Sequence, residues 1–186
     1  MAPLTRQESA ARGVGESESR EALIALGANL GDRLDTLSNA ARDVARLGTV
    51  MARSALYETE PVGGPAGQPR YLNAVLRLAP APEWGDPLKL LDALLEIELR
   101  YGRTRRIRNE ARTLDLDLLD VQGVVRDDVR LTLPHPRMMQ RAFVLAPLLD
   151  VAPTWRHPET GAWASDALAR LDVRGVTRSA MGWDAR

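Results

Sequence analysis

Between Arg112 and Leu119 the chain alternates, with Leu114, Leu116 and Leu118 on one side and Thr113, Asp115 and Asp117 on the other. Period-two alternation is the pattern of a strand with one buried face, so this segment commits the fold to a sheet. On such a strand the two carboxylates project the same way, roughly 7 Å apart at a rise of ~3.3 Å per residue. Like charges held side by side repel, and the arrangement needs a counter-charge. A divalent cation with a preference for oxygen is one answer, because Mg²⁺ is typically held by one or two carboxylates together with substrate phosphates. The preceding segment carries Arg103, Arg105, Arg106, Arg108 and Arg112, and guanidinium groups bind phosphate oxygens in bidentate fashion. The two halves read together as a nucleotide–metal site. A solvated edge strand after a basic loop shares the same pattern.

Arginine abundance alone does not decide between these readings. Of 25 basic residues only Lys89 is a lysine, a bias that runs through the whole chain, so only the local cluster carries information. The 25 acidic residues bring the formal net charge to zero, and no overall field points to nucleic acid or to a membrane. The absence of cysteine excludes disulfides and thiolate metal sites. With no apolar run long enough to span a bilayer and no signal-like segment, the expected compartment is the cytoplasm.

Along the chain, residues 1–20 are polar and without periodicity, as in a disordered tail. Glu21 to Leu26 fits a buried strand, followed by the turn Gly27-Ala28-Asn29-Leu30-Gly31-Asp32. Asp32 is placed to cap a helix carrying Leu34, Leu37, Ala41 and Val44, stopped at Gly48. A glycine-rich turn before a helix can hold a phosphate, but this one lacks the lysine of a P-loop and the spacing of a dinucleotide fingerprint. Thr49 to Glu58 reads as a second strand. Thr59 to Arg70, with Pro61, Pro65 and Pro69, is long enough for a binding loop. Tyr71 to Leu78 alternates again and places Tyr71 and Asn73 on one face. Asp86-Pro87 opens a second helix with the stripe Leu88, Leu91, Leu94 and Leu95, and Glu98 falls close to that stripe. Short strands follow at Val124-Val125 and Leu131 to Leu133, then a helix from Arg141 to Leu149 and one from Ser165 to Leu171.

The order strand–helix–strand–strand–helix–strand predicts an α+β fold, a ferredoxin-like sandwich whose mainly antiparallel sheet has helices packed on one face. The bare face is then the place for a ligand. The expected domain spans residues 21–175, with 1–20 and 176–186 as tails.

Several of these pieces, in this order, resemble one family. They are Ala25-Leu26-Gly27-Ala28-Asn29-Leu30-Gly31-Asp32, then Tyr57-Glu58-Thr59-Glu60-Pro61-Val62-Gly63, then Gln68-Pro69-Arg70-Tyr71-Leu72-Asn73-Ala74. Ile97-Glu98, Gly102-Arg103-Thr104-Arg105 and Arg112-Thr113-Leu114-Asp115-Leu116-Asp117 follow, and Leu131-Thr132-Leu133-Pro134-His135-Pro136 with Arg141-Ala142-Phe143 completes the series. The series is similar to 6-hydroxymethyl-7,8-dihydropterin pyrophosphokinases of folate biosynthesis, over roughly Glu21 to Pro153.

The resemblance implies an enzyme that transfers the terminal pyrophosphate of ATP to the pterin's hydroxymethyl group and leaves AMP. It implies two Mg²⁺ ions on Asp115 and Asp117, with Arg103 and Arg112 as catalytic arginines over the triphosphate. Glu98, Arg105, Arg108, Arg130, Thr132, His135 and Arg141 match its ATP-contacting positions. Thr59, Val62, Tyr71, Asn73 and Phe143 match its pterin pocket, with Tyr71 and Phe143 stacking on the two faces of the ring. The expected partners are the pterin and ATP alone, bound by a monomer, with no nucleic acid and no membrane. Offset stacking and a carboxamide on the ring edge suit a flat heteroaromatic, and the chain has a single phenylalanine.

Two departures stand out. Asn109-Glu110-Ala111 replaces the family's usual Trp-Gly-Pro, in a loop one residue shorter, and Leu95 stands where a nucleotide-contacting glutamine is common. Two other functions compete: a ferredoxin-like nucleic-acid-binding module, and another Mg²⁺-dependent phosphoryl transferase. The first needs exposed aromatics and a basic sheet face, whereas Asp115 and Asp117 would repel a phosphate backbone. The second would release ADP.

Overall fold

The computed structural model describes residues 20–63, 65–102 and 111–183. Its centre is β1 (Ala22–Ala28), a strand buried on both faces. Ala22, Ile24, Leu26 and Ala28 face one core, while Leu23, Ala25 and Gly27 face the other side. The small Ala25 and Gly27 leave that second face shallow. Asp32 then caps α1 (Arg33–Val44), its carboxylate accepting from Asp35 N at 3.0 Å. With a carboxylate seated there, the N-terminus of α1 is a capped turn. A short 3₁₀ turn ends at Gly48, where a Cβ would lie 2.2 Å from the Ala79 carbonyl oxygen, so only glycine lets the chain turn back.

The strand expected from Thr49 to Glu58 is two strands, β2 (Gly48–Arg53) and β3 (Tyr57–Thr59). Ser54 makes the break. Its backbone N–H donates to Val75 O at 2.9 Å and its hydroxyl accepts from Val75 N at 2.9 Å, so a side chain replaces one rung of the ladder. Both strands pair antiparallel with β4 (Tyr71–Pro80). Helix α2 (Pro87–Arg100) begins on the Asp86 cap and Pro87 as the sequence predicts. Strand β5 (Asp115–Val121) pairs antiparallel with β1 and carries the alternating carboxylates. The hairpin that follows uses Arg126–Asp127 (β6) against Thr132–Leu133 (β7); Val124 and Val125 precede it in the turn. Helices α3 (Ala142–Val151) and α4 (Ala164–Ala169) come next.

Of residues 176–186, expected as a tail, the described part, 176–183, is a correction. Val176–Arg178 forms β8, which pairs with β3 and extends the sheet to the order β5-β1-β4-β3-β8. Beyond it, Trp183 Nε1 donates to Ser54 O at 2.8 Å, and Ser38 Oγ donates to Trp183 O at 3.0 Å. A three-residue strand flanked by polar residues has too little periodicity to read in advance; its pairing comes from the open edge of β3.

The fold is the expected α+β sandwich, and its main core lies between the sheet and α1 and α2. Leu37, Leu94 and Ile97 meet Ile24, Leu26, Leu72, Leu76 and Leu78 there, each such burial stabilising by ~1.5–3 kcal/mol. The opposite face is not bare along its whole length. α3 and α4 pack Val144, Leu145, Leu148 and Ala164 against Leu23, Val75 and Leu119. What stays open is the end of that face where Gly27, Asn73 and Asp115 stand. No helix among the described residues is long and apolar enough to cross a membrane.

Candidate active site

The open end is organised in cross-strand rows. Asn73 of β4, Gly27 of β1 and Asp115 of β5 stand side by side; one step along, Val75, Ala25 and Asp117 do the same. The alternation read from the sequence therefore delivers both carboxylates to the same face as Asn73. Gly27 matters because a Cβ there would lie 2.8 Å from Asn73 Oδ1. Its lack of a side chain leaves room for the carboxamide. The sequence reading treated Gly27 as turn punctuation, and only the register shows its place under Asn73.

Two clefts meet at this end. The first, about 320 Å³, is lined by Tyr71, Asn73, Thr59, Val62, Phe143, Arg112, Asp115, Asp117 and Arg141 among others. The second, about 220 Å³, has a leucine wall (Leu91, Leu95, Leu116, Leu118 and Leu131) and a polar rim of Arg130, Thr132 and His135. Asp117 lines both.

In the first cleft all five pterin-pocket positions inferred from the sequence converge. Asn73 Nδ2 donates to Thr59 Oγ1 at 2.7 Å; Asn73 is 8% exposed and Thr59 2%. Such a pair is pre-set by burial and does not have to be ordered by a ligand. Val62, by contrast, is 72% exposed at the rim. Gln140 and Arg137, which the sequence reading passed over, also line this cleft. They sit just before α3, and nothing in their spacing separated them from the surrounding polar residues.

Each acid has a basic neighbour. Arg112 Nη1 is 2.5 Å from Asp115 Oδ2, and Arg141 Nη1 is 3.7 Å from Asp117 Oδ2. Arg141 also lies over the Phe143 ring at 5.5 Å. Burial and the neighbouring Arg137 hold the Arg141 guanidinium below its usual pKa, against the pull of Asp117 and Asp115. Arg141, matched to ATP, thus stands in the first cleft and reaches toward the shared acid. Arg103, Arg105 and Arg108 lie outside the described residues.

In the second cleft Arg130 pairs with Asp92, and Thr132 Oγ1 donates to Asp127 at 3.2 Å. His135 Nδ1 accepts from Arg137 N at 3.2 Å, which leaves the proton on Nε2 in the neutral ring. Burial, the dominant influence, lowers the His135 pKa below its ordinary value; Asp117 opposes the shift and Arg141 adds to it. Near neutral pH His135 is therefore an uncharged donor.

Glu98, matched by the resemblance to an ATP-contacting position, lines neither cleft. It is 2% exposed, and its Oε1 accepts from Leu116 N at 2.6 Å. Since β5 is the edge strand of the sheet, Glu98 satisfies a backbone donor that no neighbouring strand reaches. Its position near the apolar stripe of α2 suits either a boundary residue or one aimed at a ligand; in the fold it is buried and a backbone N–H is among its partners.

Among the described residues no group of three or more His, Asp or Glu side chains forms a ready metal cage. Asp115 and Asp117 offer oxygen ligands only, from two residues. This suits Mg²⁺, which keeps open positions for phosphate oxygens and water.

A family model described as 7,8-dihydro-6-hydroxymethylpterin-pyrophosphokinase (HPPK) matches residues 23–153. A 2-amino-4-hydroxy-6-hydroxymethyldihydropteridine pyrophosphokinase of Pseudomonas aeruginosa is 42% identical over 157 residues, 83% of this chain and 94% of that protein. One from Synechocystis sp. is 36% identical over 163 residues, 87% of this chain and 81% of the relative. A solved Plasmodium falciparum HPPK-DHPS structure superimposes with a TM-score of 0.65 at 13% identity, over 84% of this chain. This likeness is one of fold, and the chain spans 44% of the length of that solved protein.

Proposed function

This chain belongs to the 7,8-dihydro-6-hydroxymethylpterin-pyrophosphokinase family, and from that premise we propose that its two clefts divide the substrates at Asp117. The enzyme transfers pyrophosphate from ATP to the hydroxymethyl group of 6-hydroxymethyl-7,8-dihydropterin, releasing AMP, in folate biosynthesis. In the transfer, the hydroxyl oxygen loses its proton and bonds to the β-phosphorus, while the bond from the β-phosphorus to the bridging oxygen breaks and its electron pair leaves on AMP. The observation that carries the division is the single carboxylate common to both clefts. A triphosphate running from the second cleft to the first has to pass it.

The pterin takes the first cleft. Tyr71 and Phe143 supply ring faces, and Asn73 with Thr59 reads the heteroaromatic edge; the buried Asn73–Thr59 pair supports this. The nucleotide takes the second cleft, its base against the leucine wall and its phosphates toward Asp117. Arg130, Thr132 and the neutral His135 contact the ribose and phosphates. Asp115 and Asp117 would hold two Mg²⁺ ions, whose charge would neutralise the triphosphate and favour in-line attack. Arg112 and Arg141, already beside these acids, place positive charge where negative charge develops on the bridging oxygen. The roles assigned to Arg103, Arg105 and Arg108 on the phosphates rest on the sequence alone.

Product analysis tests the reading. With ATP and the pterin alcohol, nucleotide products resolved by chromatography contain AMP and no ADP. ADP in place of AMP would make the protein a different phosphoryl transferase. Chelation with EDTA stops turnover and added Mg²⁺ restores it.

A further inference from the structure

We propose that Asn29 is a positioning residue that couples the pterin loop to Arg112, a role that rests on the division of substrates above. Asn29 is 2% exposed at the end of the first strand. Its Nδ2 donates to Pro69 O at 3.2 Å and to Gln68 Oε1 at 3.3 Å. Its Oδ1 accepts from Arg112 N at 2.8 Å, and its backbone N–H donates to Arg112 O at 3.1 Å. One buried carboxamide therefore spends its donors on one segment and its acceptor on another. The two segments lie far apart in sequence.

The partners are what make this more than turn chemistry. An asparagine serving its own turn bonds to backbone a few residues away. These partners lie about forty and more than eighty residues downstream. Pro69 is two residues before Tyr71, which lines the pterin cleft. Arg112 is three residues before Asp115 and holds its carboxylate. Other ties on the Gln68–Arg70 end include Arg33 Nη1 donating to Arg70 O at 2.9 Å, Gln68 Nε2 donating to Pro65 O at 3.2 Å, and charged pairs of Arg70 with Glu58 and Glu60, both partly exposed; such exposed pairs contribute little in water, and none of these ties reaches Arg112. The carboxamide of a residue as buried as Asn29 does not have that weakness, because leaving its polar groups unpaired is costly. When the pterin settles against Tyr71, the shift at Pro69 reaches the Arg112 backbone through Asn29, and with it the charge that faces the phosphates. Coupling of this kind is reciprocal, so nucleotide binding tightens the pterin by the same factor.

The test uses a non-hydrolysable ATP analogue titrated by calorimetry with and without the pterin; the ratio of the two affinities is the coupling factor. Asn29→Asp has the same size and turn preference and keeps the acceptor for Arg112, but loses both donors. In that variant the coupling factor falls toward one and kcat falls about tenfold, while affinity for either ligand alone stays within about threefold. Asn29→Ala, if folded, shows the same loss. Gln68→Ala removes one acceptor from the rim and gives an intermediate coupling factor. A wild-type coupling factor of one, or a folded Asn29→Asp protein that keeps the wild-type factor, overturns the proposal. Equal losses in both single-ligand affinities and in Tm, with the coupling factor intact, would also overturn it by making Asn29 a plain structural residue. Release of ADP by the wild-type enzyme would instead strike the functional reading, a result read from a different assay.

Discussion

The two clefts on either side of Asp117 are held in different ways. In the first, two polar side chains are buried and already bonded to one another, Asn73 to Thr59 at 2.7 Å. In the second, the wall is leucine and the rim polar groups are engaged near the surface, Arg130 with Asp92 and Thr132 with Asp127. A site built from buried polar groups rejects a ligand that cannot satisfy them, while an apolar wall discriminates weakly among similar shapes. On the proposed reading, the first cleft is thus the selective one and the second the accommodating one. On that reading the chemistry sits at their junction, where neither kind of wall alone could place it.

The sharpest way to break this comparison is to remove the junction. Asp117→Asn changes one charge and no volume, and on the proposed reading it lowers kcat by roughly a thousandfold or more. Pterin binding without nucleotide stays close to wild type, as does Tm. Full turnover in this variant would separate Asp117 from the metal and leave the shared wall as mere geometry. Asp115→Asn has a comparable effect on kcat but also frees Arg112 from its 2.5 Å partner. Its nucleotide affinity therefore departs from that of the Asp117 variant.

A smaller effect separates the clefts from each other. Gly27→Ala places a methyl group where 2.8 Å separates the new Cβ from Asn73 Oδ1, so the carboxamide has to move. The pterin KM rises by about 10–100-fold, the scale of a misplaced buried polar group, and the ATP KM stays unchanged. A matching rise in both constants would mean that the clefts do not act separately.

Much of this was legible in the chain, and the reason is periodicity. The Leu114–Leu118 alternation gave β5 and the shared face of Asp115 and Asp117, and Tyr71 and Asn73 fell on one face by the same rule. The Asp32 and Asp86 caps were readable because a capping side chain bonds within its own first turn. What escaped depends on contacts between distant segments. Gly27 is significant only because register sets it against Asn73, and Glu98 only because Leu116 presents an edge N–H. The strand β8 exists because β3 has an open side to fill, and the partial cover of the second face by α3 follows from packing that no local pattern announces. Of the proposed site, the two carboxylates on one face were visible from spacing, whereas the division into two clefts needed the fold.

The smallest expected effect belongs to the second cleft alone. Burial lowers the His135 pKa in the folded chain relative to the unfolded one. A histidine shifted in this direction contributes stability that is fully present above its unfolded pKa of about 6.5 and lost as pH falls toward the lowered folded value, because the unfolded chain takes up the proton first. Between pH 7.5 and 5.5 the wild-type Tm therefore declines, and His135→Gln, which does not titrate, shows a slope flatter by a degree or two. The same substitution keeps an amide donor in place of Nε2–H, so nucleotide affinity changes by only a few-fold at pH 7.5 and the pterin KM does not change. Calorimetric melting and steady-state kinetics on one pair of proteins check both statements. A Tm slope that is unchanged would mean that the cleft wall is wet enough to solvate the imidazolium, and the contrast between a pre-set polar cleft and an apolar one would lose its second half.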